Sequence, residues 1–201
     1  MSGAQAKAVV ICGCVGVIAE LSREALDKRH RQGWLLEVTD CPDQLVNMVR
    51  AARREKRATS IGFHGNAVTV WERFLHEYQE TGELLVDLGS DQTSCHNPYN
   101  GGYYPVHLGY EEAGRVLAED PHRFKLLVQE SLRRQIAAIN ALSDAGMYFF
   151  DYGNAFLLES RRSGANVSKP GESESSTKFR YPSYVQDIMG DIFSLGFGPF
   201  R

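Results

Sequence analysis

Short apolar segments alternate with longer segments of helical periodicity along most of this chain, and that alternation restricts its fold more than any other feature. Cys14–Ala19, Ser60–Phe63, Leu84–Leu88 and Met147–Phe150 have the length and composition of buried strands. Strands that alternate with helices and are apolar throughout are typical of a parallel sheet covered by helices. The sequence therefore predicts an α/β fold.

The predicted helices are separated by residues that begin or break helices. Ser22 is a typical N-cap residue, and Pro121 should divide the long helical stretch 110–145 into two helices. The other predicted helices cover residues 43–54, 67–80, 154–163 and 185–193.

The first twenty residues fit the second half of a dinucleotide-binding βαβ unit. Residues 3–13 predict a short apolar helix after a small-residue turn, and the next strand ends at Glu20. In such units a glycine turn precedes the helix, and an acid about 20 residues further on binds the ribose hydroxyls. We expect a Rossmann-like parallel sheet flanked by helices, with its first strand and leading glycines lying before Met1.

A polar segment rich in aromatic residues, Asp91–Pro105, follows the third apolar strand. It reads Asp-Gln-Thr-Ser-Cys-His-Asn-Pro-Tyr-Asn-Gly-Gly-Tyr-Tyr-Pro. Open α/β folds bind their ligands in loops at the carboxyl ends of parallel strands. An ordinary surface loop would contain more Lys, Glu and Ser and fewer aromatic residues. We predict that this segment is a ligand-binding loop.

Charge and hydropathy argue against several functional classes. The net charge of −3 does not favour binding to nucleic acid or to an anionic membrane. No apolar run reaches the roughly 18–20 residues needed to span a bilayer. The N-terminus lacks the basic segment and apolar core of a secretory signal peptide. We expect no nucleic-acid partner, no membrane association and a cytoplasmic location.

The cysteines and histidines do not form a metal-binding pattern. Cys12, Cys14, Cys41 and Cys95 show no CxxC spacing, and the six histidines are scattered, so we predict no metal site. Cys12 and Cys14 adjoin apolar segments and are expected to be buried free thiols. A reactive thiol needs an activating neighbour, and for Cys95 we favour a binding-loop role over a nucleophilic one.

Three sequence blocks in this order resemble the urocanase (urocanate hydratase) family. They are Asp91-Gln-Thr-Ser-x-His-x-Pro-x-Asn-Gly, Phe150-Asp-Tyr-Gly-Asn154 and Gly196-x-Gly-Pro-Phe-Arg201. Met1-Ser-Gly-Ala-Gln-x-x-Ala8 is similar to the end of the family's glycine-rich NAD turn. The resemblance covers essentially the whole chain and corresponds to the central dinucleotide-binding domain of that family.

The resemblance implies an activity for the intact protein. Members are hydro-lyases that add water to urocanate, giving 4-imidazolone-5-propionate in histidine degradation, and they are homodimers with tightly bound NAD. Their NAD does not transfer hydride; the urocanate imidazole attacks the oxidised nicotinamide, which acts as an electron sink. The isolated segment is expected to be inactive, and the catalytic acid stays unassigned.

The resemblance also implies the residues of the binding site. Met1 and Ser2 correspond to the phosphate-binding turn, Glu20 to the contact with the adenosine ribose, and Arg201 to a contact with the urocanate carboxylate. The other positions that match NAD-binding residues of the family are Asn66, Ala67, Gln92, Thr93, Ser94, Cys95, His96, Tyr103, Tyr104 and Tyr152.

Two departures from the family pattern affect this assignment. Gly101-Gly102 contains an extra glycine relative to some bacterial members, which leaves open whether Tyr103 or Tyr104 contacts NAD. Some members have an arginine near the ribose site where this chain has Ala25, and Arg23 or Arg29 are possible substitutes.

The domain organisation follows from the resemblance and from composition. We predict an NAD-binding Rossmann-like domain over residues 1–163. Residues 164–178 are too polar to bury much apolar surface and are expected to form a mobile surface insertion. Residues 179–201 would begin a truncated segment that returns to the catalytic core. Two alternatives to the hydratase remain: an NAD-dependent dehydrogenase domain and a non-catalytic NAD-binding isoform.

Overall fold

The computed structural model describes residues 4–93, 95–169, 171–172 and 178–196. The strands are β1 (Val15–Glu20), β2 (Glu37–Thr39), β3 (Thr59–His64), β4 (Leu88–Asp91) and β5 (Tyr148–Asp151). The helices are α1 (Ala4–Ile11), α2 (Arg23–Arg31), α3 (Pro42–Glu55), α4 (Ala67–Thr81), α5 (Tyr110–Glu119), α6 (Pro121–Asp144), α7 (Phe156–Arg162) and α8 (Met189–Ser194), with a π-helical turn at Tyr184–Ile188. The chain divides into two compact units, Met1–Leu85 and Val86–Arg201.

The first unit is built on a parallel sheet in the order β1-β3-β2. β3 lies in the centre and is buried from Thr59 to Phe63, as expected for a strand covered on both faces. Helix α1 packs closely on β1 at Gly16, where a Cβ atom would lie 2.6 Å from Val9 Cγ1. Only glycine permits this close contact between helix and strand.

Ion pairs connect α3 and α4 on the first unit. Glu77 is 8% exposed and accepts from the guanidinium groups of Arg50 and Arg73, the latter at 2.8 Å. Arg50 also pairs with Glu83 at 2.8 Å, and Arg73 pairs with Asp43 at 2.9 Å. These guanidinium groups hold the pKa of the Glu77 carboxyl below its usual value.

The second unit contains the parallel pair β4-β5 and the long helix α6. The register aligns Leu88 with Tyr148 and Asp91 with Asp151. The apolar side chains that α6 buries recur at helical spacing: Phe124, Val128, Leu132, Ile136, Ile139 and Leu142. The ring of Phe149 packs against those of Phe156 and Tyr181 at centroid distances of 6.2 Å and 5.0 Å.

Local sequence signals explain where the helices begin. The Ser22 hydroxyl accepts from Ala25 N at 3.2 Å at the start of α2, and the Asn66 carboxamide accepts from Val68 N at 2.9 Å at the start of α4. Asp120 accepts from Arg123 N at 2.9 Å, and Pro121 is the first residue of α6. The predicted helix break at Pro121 is therefore confirmed. The predicted Rossmann-like α/β class, with parallel strands flanked by helices, is confirmed as well.

The structure differs from the sequence analysis in three respects. Strand β2 was not predicted, and β4 begins at Leu88 instead of spanning residues 84–88. The prediction that Cys12 and Cys14 are buried was wrong, because both lie exposed around the turn between α1 and β1. That turn passes through Gly13, whose φ is +72°.

Some expectations concern parts of the chain that lie outside the described residues. These are residues 170 and 173–177 of the predicted surface insertion, and residues 197–201 at the end of the chain. Among the described helices, none has the combination of length and apolar character that crossing a bilayer requires. Within the same residues, no cluster of three or more His, Cys, Asp or Glu side chains is placed to hold a metal ion.

Candidate functional site

In the first unit, the predicted ligand-binding residues lie at the carboxyl edge of the three-stranded sheet. Glu20 and His64 are partners in the register of β1 and β3, and Gly65 N donates to Glu20 O at 3.1 Å. Asn66 and Ala67 follow directly at the start of α4. The parallel pairing thus brings Glu20 to the same edge as Asn66 and Ala67.

The Glu20 side chain is held at this edge by the chain that follows it. Its Oε1 accepts from Ser22 N at 2.8 Å, and the residue is half-buried. A carboxylate at the end of a parallel strand suits hydroxyl donors such as a ribose diol. The N-terminus of α4 adds the partial positive charge of a helix end beside it.

In the second unit, Asp91 is the centre of a buried hydrogen-bond network at the end of β4. It is 3% exposed. Its Oδ1 accepts from Thr93 N at 2.8 Å, and its Oδ2 accepts from Thr93 Oγ1 at 3.1 Å and from Gln135 Nε2 at 2.7 Å. These donors stabilise the ionised carboxylate, while burial raises the Asp91 pKa and outweighs them.

Helix α6 supplies two buried polar side chains to the loop after β4. Gln135 accepts from the Tyr103 hydroxyl at 2.7 Å while it donates to Asp91, so it bonds to both ends of the segment 91–103. One turn earlier, the Ser131 hydroxyl accepts from Val106 N at 2.9 Å. Both Gln135 and Ser131 are fully buried.

Asn154, in the turn after β5, connects that turn to the loop after β4. Its carboxamide nitrogen donates to Asp91 O at 3.4 Å and to Thr93 O, and its backbone carbonyl accepts from Cys95 N at 3.1 Å. The turn is tight, because Gly153 and Ala155 both have positive φ, at +92° and +67°. The loops that follow the two strands therefore form one bonded unit.

The carboxyl ends of β4 and β5 bring two carboxyl groups together. Burial raises the pKa of Asp151 to about 6, and the negative charge of Asp91 adds to the shift. Asp151 Oδ1 and Asn154 Oδ1 are buried and have no hydrogen-bond partner among the described residues. The site therefore contains two oxygen acceptors that a ligand with N–H or O–H donors could satisfy.

Cys95 lies fully buried beside these acids. Burial raises the pKa of its thiol, and the charges of Asp91, Glu159 and Asp151 raise it further. Because only a thiolate is a good nucleophile, this environment does not activate Cys95.

An open cleft of about 440 Å³ lies beside residues 96–100 of the loop. His96, Tyr99, Lys125 and Arg162 are among its lining residues. The Lys125 ammonium is 5.2 Å from the centre of the Tyr99 ring, and Arg162 pairs with Glu159 at 2.6 Å. The cleft is polar and carries both signs of charge.

A family model described as the Urocanase Rossmann-like domain matches residues 1–188. The chain belongs to the urocanase family. The resemblance seen in its sequence blocks is thereby confirmed.

Curated urocanase relatives match the chain over its whole length. It is 64% identical over 201 residues to a protein named urocanate hydratase from Homo sapiens and 63% identical to that from Mus musculus. A probable urocanate hydratase from Caenorhabditis elegans is 56% identical over the same length. The match covers 100% of this chain but 29% of each of these three relatives.

The aromatic residues that the urocanase resemblance assigns to NAD differ in exposure. Tyr103 is 3% exposed, with its hydroxyl bonded to Gln135. Tyr104 is half-buried and stacks on Tyr110 with a centroid distance of 5.1 Å. Tyr152 is 39% exposed and stacks on Tyr184 at 5.3 Å.

The other assigned residues of the second unit lie along the loop after β4. Gln92 and His96 are exposed, and Thr93 is half-buried. The resemblance also assigned Met1, Ser2, Ser94 and Arg201, which lie outside the described residues. The NAD-contact roles of all these residues stay predictions.

The sequence analysis missed Gln135 and Ser131 as parts of the site, and it gave Asp91 no role beyond being the first residue of the predicted loop. A signal was present, because Ser131 and Gln135 are polar residues four apart on the apolar face of α6. Polar side chains at core positions of a helix need buried partners. The identity of those partners was not readable, since Gln135 and Asp91 are 44 residues apart.

Proposed function

We propose that this chain is the NAD-binding domain of a urocanate hydratase. The complete protein would add water to urocanate, giving 4-imidazolone-5-propionate in histidine degradation. The observation that carries the proposal is the position of the polar loops, at the carboxyl ends of parallel strands in a Rossmann-like domain of the urocanase family. That relatives named urocanate hydratase match the whole chain supports it.

The chemistry of the residues present suits NAD. A carboxylate at the end of β1, Glu20, is the group that a ribose diol requires, and α1 packs on that strand at Gly16 as in a dinucleotide-binding unit. In the second unit, the unpartnered oxygens of Asp151 and Asn154 suit donors such as a carboxamide N–H or a ribose hydroxyl. We propose that Glu20, Asn66 and Ala67 contact the cofactor in the first unit. In the second unit the proposed contacts are Gln92, Thr93, Ser94, Cys95, His96, Tyr104 or Tyr103, and Tyr152.

The proposed roles divide between cofactor chemistry and protein groups. Bound NAD would supply an electrophilic nicotinamide that withdraws electron density from the urocanate imidazole. The described residues would hold and orient the cofactor. Glu20 would accept hydrogen bonds from its ribose hydroxyls, and Tyr104 and Tyr152 would offer aromatic surfaces to it. Arg201 is proposed for the urocanate carboxylate, since a guanidinium binds a carboxylate through two hydrogen bonds.

From the family resemblance we propose a cytoplasmic homodimer that keeps NAD bound. The predicted division into a domain over 1–163, an insertion over 164–178 and a returning segment over 179–201 also stays a proposal.

The test uses the full-length protein that carries this segment. The loss of urocanate's ultraviolet absorbance is followed while NADH formation is recorded in parallel, and NAD released on denaturation is quantified. Urocanate loss without NADH, in protein that contains NAD, is the expected result. NADH formation with another substrate would favour the dehydrogenase alternative. Bound NAD without any turnover would favour a non-catalytic NAD-binding protein.

A further inference from the structure

In its described residues, the loop after β4 contains no regular strand or helix that would fix its path, apart from a single turn at Pro98–Asn100. Its shape depends on buried polar bonds instead. At its start, Asp91 bonds to Thr93 within the loop and to Gln135 outside it. At its far end, Tyr103 bonds to the same Gln135.

The donor and acceptor groups of these three side chains match one another. The Asp91 carboxylate only accepts, the Tyr103 hydroxyl donates, and the Gln135 carboxamide does both. The bonds from Gln135 to Asp91 and from Tyr103 to Gln135 are both 2.7 Å long. Because all three side chains are buried, any mismatch would leave a polar group without water or a partner.

We infer that Asp91 and Gln135 are positioning residues that set the shape of the loop from Gln92 to Tyr103 for the cofactor. The inference rests on the proposed function, since it takes NAD as the ligand of the loop. Neither side chain needs to touch NAD. They act by holding Thr93 and Tyr103 at fixed positions at the two ends of the loop.

The donor and acceptor pattern suggests a test by exchange. Asp91→Asn alone would place one amide against another, and Gln135→Glu alone would place two carboxylates together in a buried site. In the double variant Asp91→Asn/Gln135→Glu, the amide at position 91 would donate to the carboxylate at position 135. That carboxylate would still accept from Tyr103, and the amide oxygen would still accept from Thr93 N.

The same helix offers a matched control. Asn140 of α6 donates to Asn166 O at 2.8 Å and accepts from the Tyr181 hydroxyl at 2.6 Å. Asn140→Leu therefore removes two hydrogen bonds from α6 without touching the loop after β4. Gln135→Met is a further variant that removes both loop bonds without adding a charge, for use where a charged single variant does not fold.

The experiment measures NAD affinity and thermal unfolding of the full-length wild type and these variants. Each single variant in the network should weaken NAD binding roughly tenfold or more, since a buried partner is lost. The double variant should recover most of that loss, and Asn140→Leu should lower the unfolding temperature with unchanged NAD affinity.

Three other results would contradict the inference in different ways. In the first, the wild type binds NAD and the network variants bind it equally well, or they lose no more affinity than Asn140→Leu does. The positioning role is then wrong, and the proposed function stands. A double variant no better than the single ones, with all of them folded, would also overturn the positioning role. If the full-length wild type binds no NAD, the proposed function itself fails, and this inference fails with it.

Discussion

Asp91 and Asp151 are register partners at the carboxyl ends of β4 and β5, and both side chains are buried. Three hydrogen bonds from Thr93 and Gln135 support the ionised form of Asp91. Asp151 Oδ1, by contrast, has no partner among the described residues. Because their surroundings differ, the two neighbouring carboxyl groups have different tendencies to ionise. The ionisation of Asp151 gives the clearer prediction for the stability of the fold.

Asp151→Asn should change how the stability of the chain depends on pH. The pKa of Asp151 is raised to about 6 in the fold from a usual value of 3.8. The neutral acid is therefore favoured by folding, so stability is full below pH 3.8 and falls as the pH rises towards 6. Above that pH the wild type should have lost on the order of 2 kcal/mol.

Urea unfolding at pH 4 and at pH 8 checks this. Asp151→Asn should match the wild type at the lower pH and exceed it at the higher one. Asp40→Asn, at an exposed position, is the control and should follow the wild type throughout. Parallel stability curves for the wild type and Asp151→Asn would contradict the predicted titration.

The four thiols should differ in reactivity. Cys12, Cys14 and Cys41 are exposed, while Cys95 is buried, and burial together with the nearby acids raises the pKa of its thiol. Iodoacetamide applied to the folded chain at pH 8, with peptide mass spectrometry, should modify the three exposed thiols and leave Cys95 intact. Denaturation should then make Cys95 reactive. Equal modification rates for all four would show that the environment of Cys95 is not closed.

Neighbouring substitutions in the turn after β5 should have opposite consequences. Gly153→Ala would place a Cβ atom 2.9 Å from Val185 Cγ2 at a φ of +92°. We expect it to lower the free energy of unfolding by about 1–3 kcal/mol. Ala155→Gly removes a Cβ from a residue at φ +67° and should leave that free energy within about 0.5 kcal/mol of wild type or raise it. Equal losses from both would contradict the assigned backbone conformations.

Glu77→Gln should weaken the contact between α3 and α4. The Glu77 pKa is lowered by Arg50 and Arg73, so the ion pairs stabilise the fold above the usual carboxyl pKa and are lost as the pH falls through the lowered value. At pH 7 we expect a loss of about 1 kcal/mol, because both guanidinium groups are partly exposed. Glu80→Gln, at an exposed position of α4, is the control in thermal unfolding. An unfolding temperature for Glu77→Gln equal to that of the control would exclude the stabilising role.

Glu20→Gln should weaken NAD binding by the full-length protein. Removing the charge from a carboxylate that accepts hydroxyl bonds should raise the dissociation constant roughly tenfold. Glu24→Gln, at an exposed position of α2, leaves the end of β1 unchanged and should bind NAD as the wild type does. Identical affinities in the two variants would remove Glu20 from the ribose contact.

The parts of the fold that the sequence predicted are those governed by neighbouring residues. Ser22 caps the helix that it precedes, and Pro121 divides α5 from α6. Strand β2 spans only Glu37–Thr39, too few residues for a pattern to show. An apolar run such as Leu84–Leu88 does not reveal which of its residues pair, and only Leu88 lies in β4.

Of the candidate site, too, only a part could be predicted from the sequence. Composition predicted that the polar segment Asp91–Pro105 binds a ligand, which stays a prediction, while its family resemblance is confirmed. The network that holds it was not predictable, because the Gln135–Asp91 and Tyr103–Gln135 bonds depend on how α6 docks. The exposure of Cys12 and Cys14 was likewise decided by the turn geometry and not by their apolar neighbours.

The long-range bond from Gln135 to Asp91 has a consequence for the order of folding. It joins residues 44 positions apart, so the loop cannot reach its final path until α6 has been synthesised and has docked. A nascent chain that has just completed the loop would contain its side chains but not Gln135, which holds the two ends of the loop. The loop should therefore reach its final shape late in the maturation of this unit, and the proposed cofactor binding should arise no earlier.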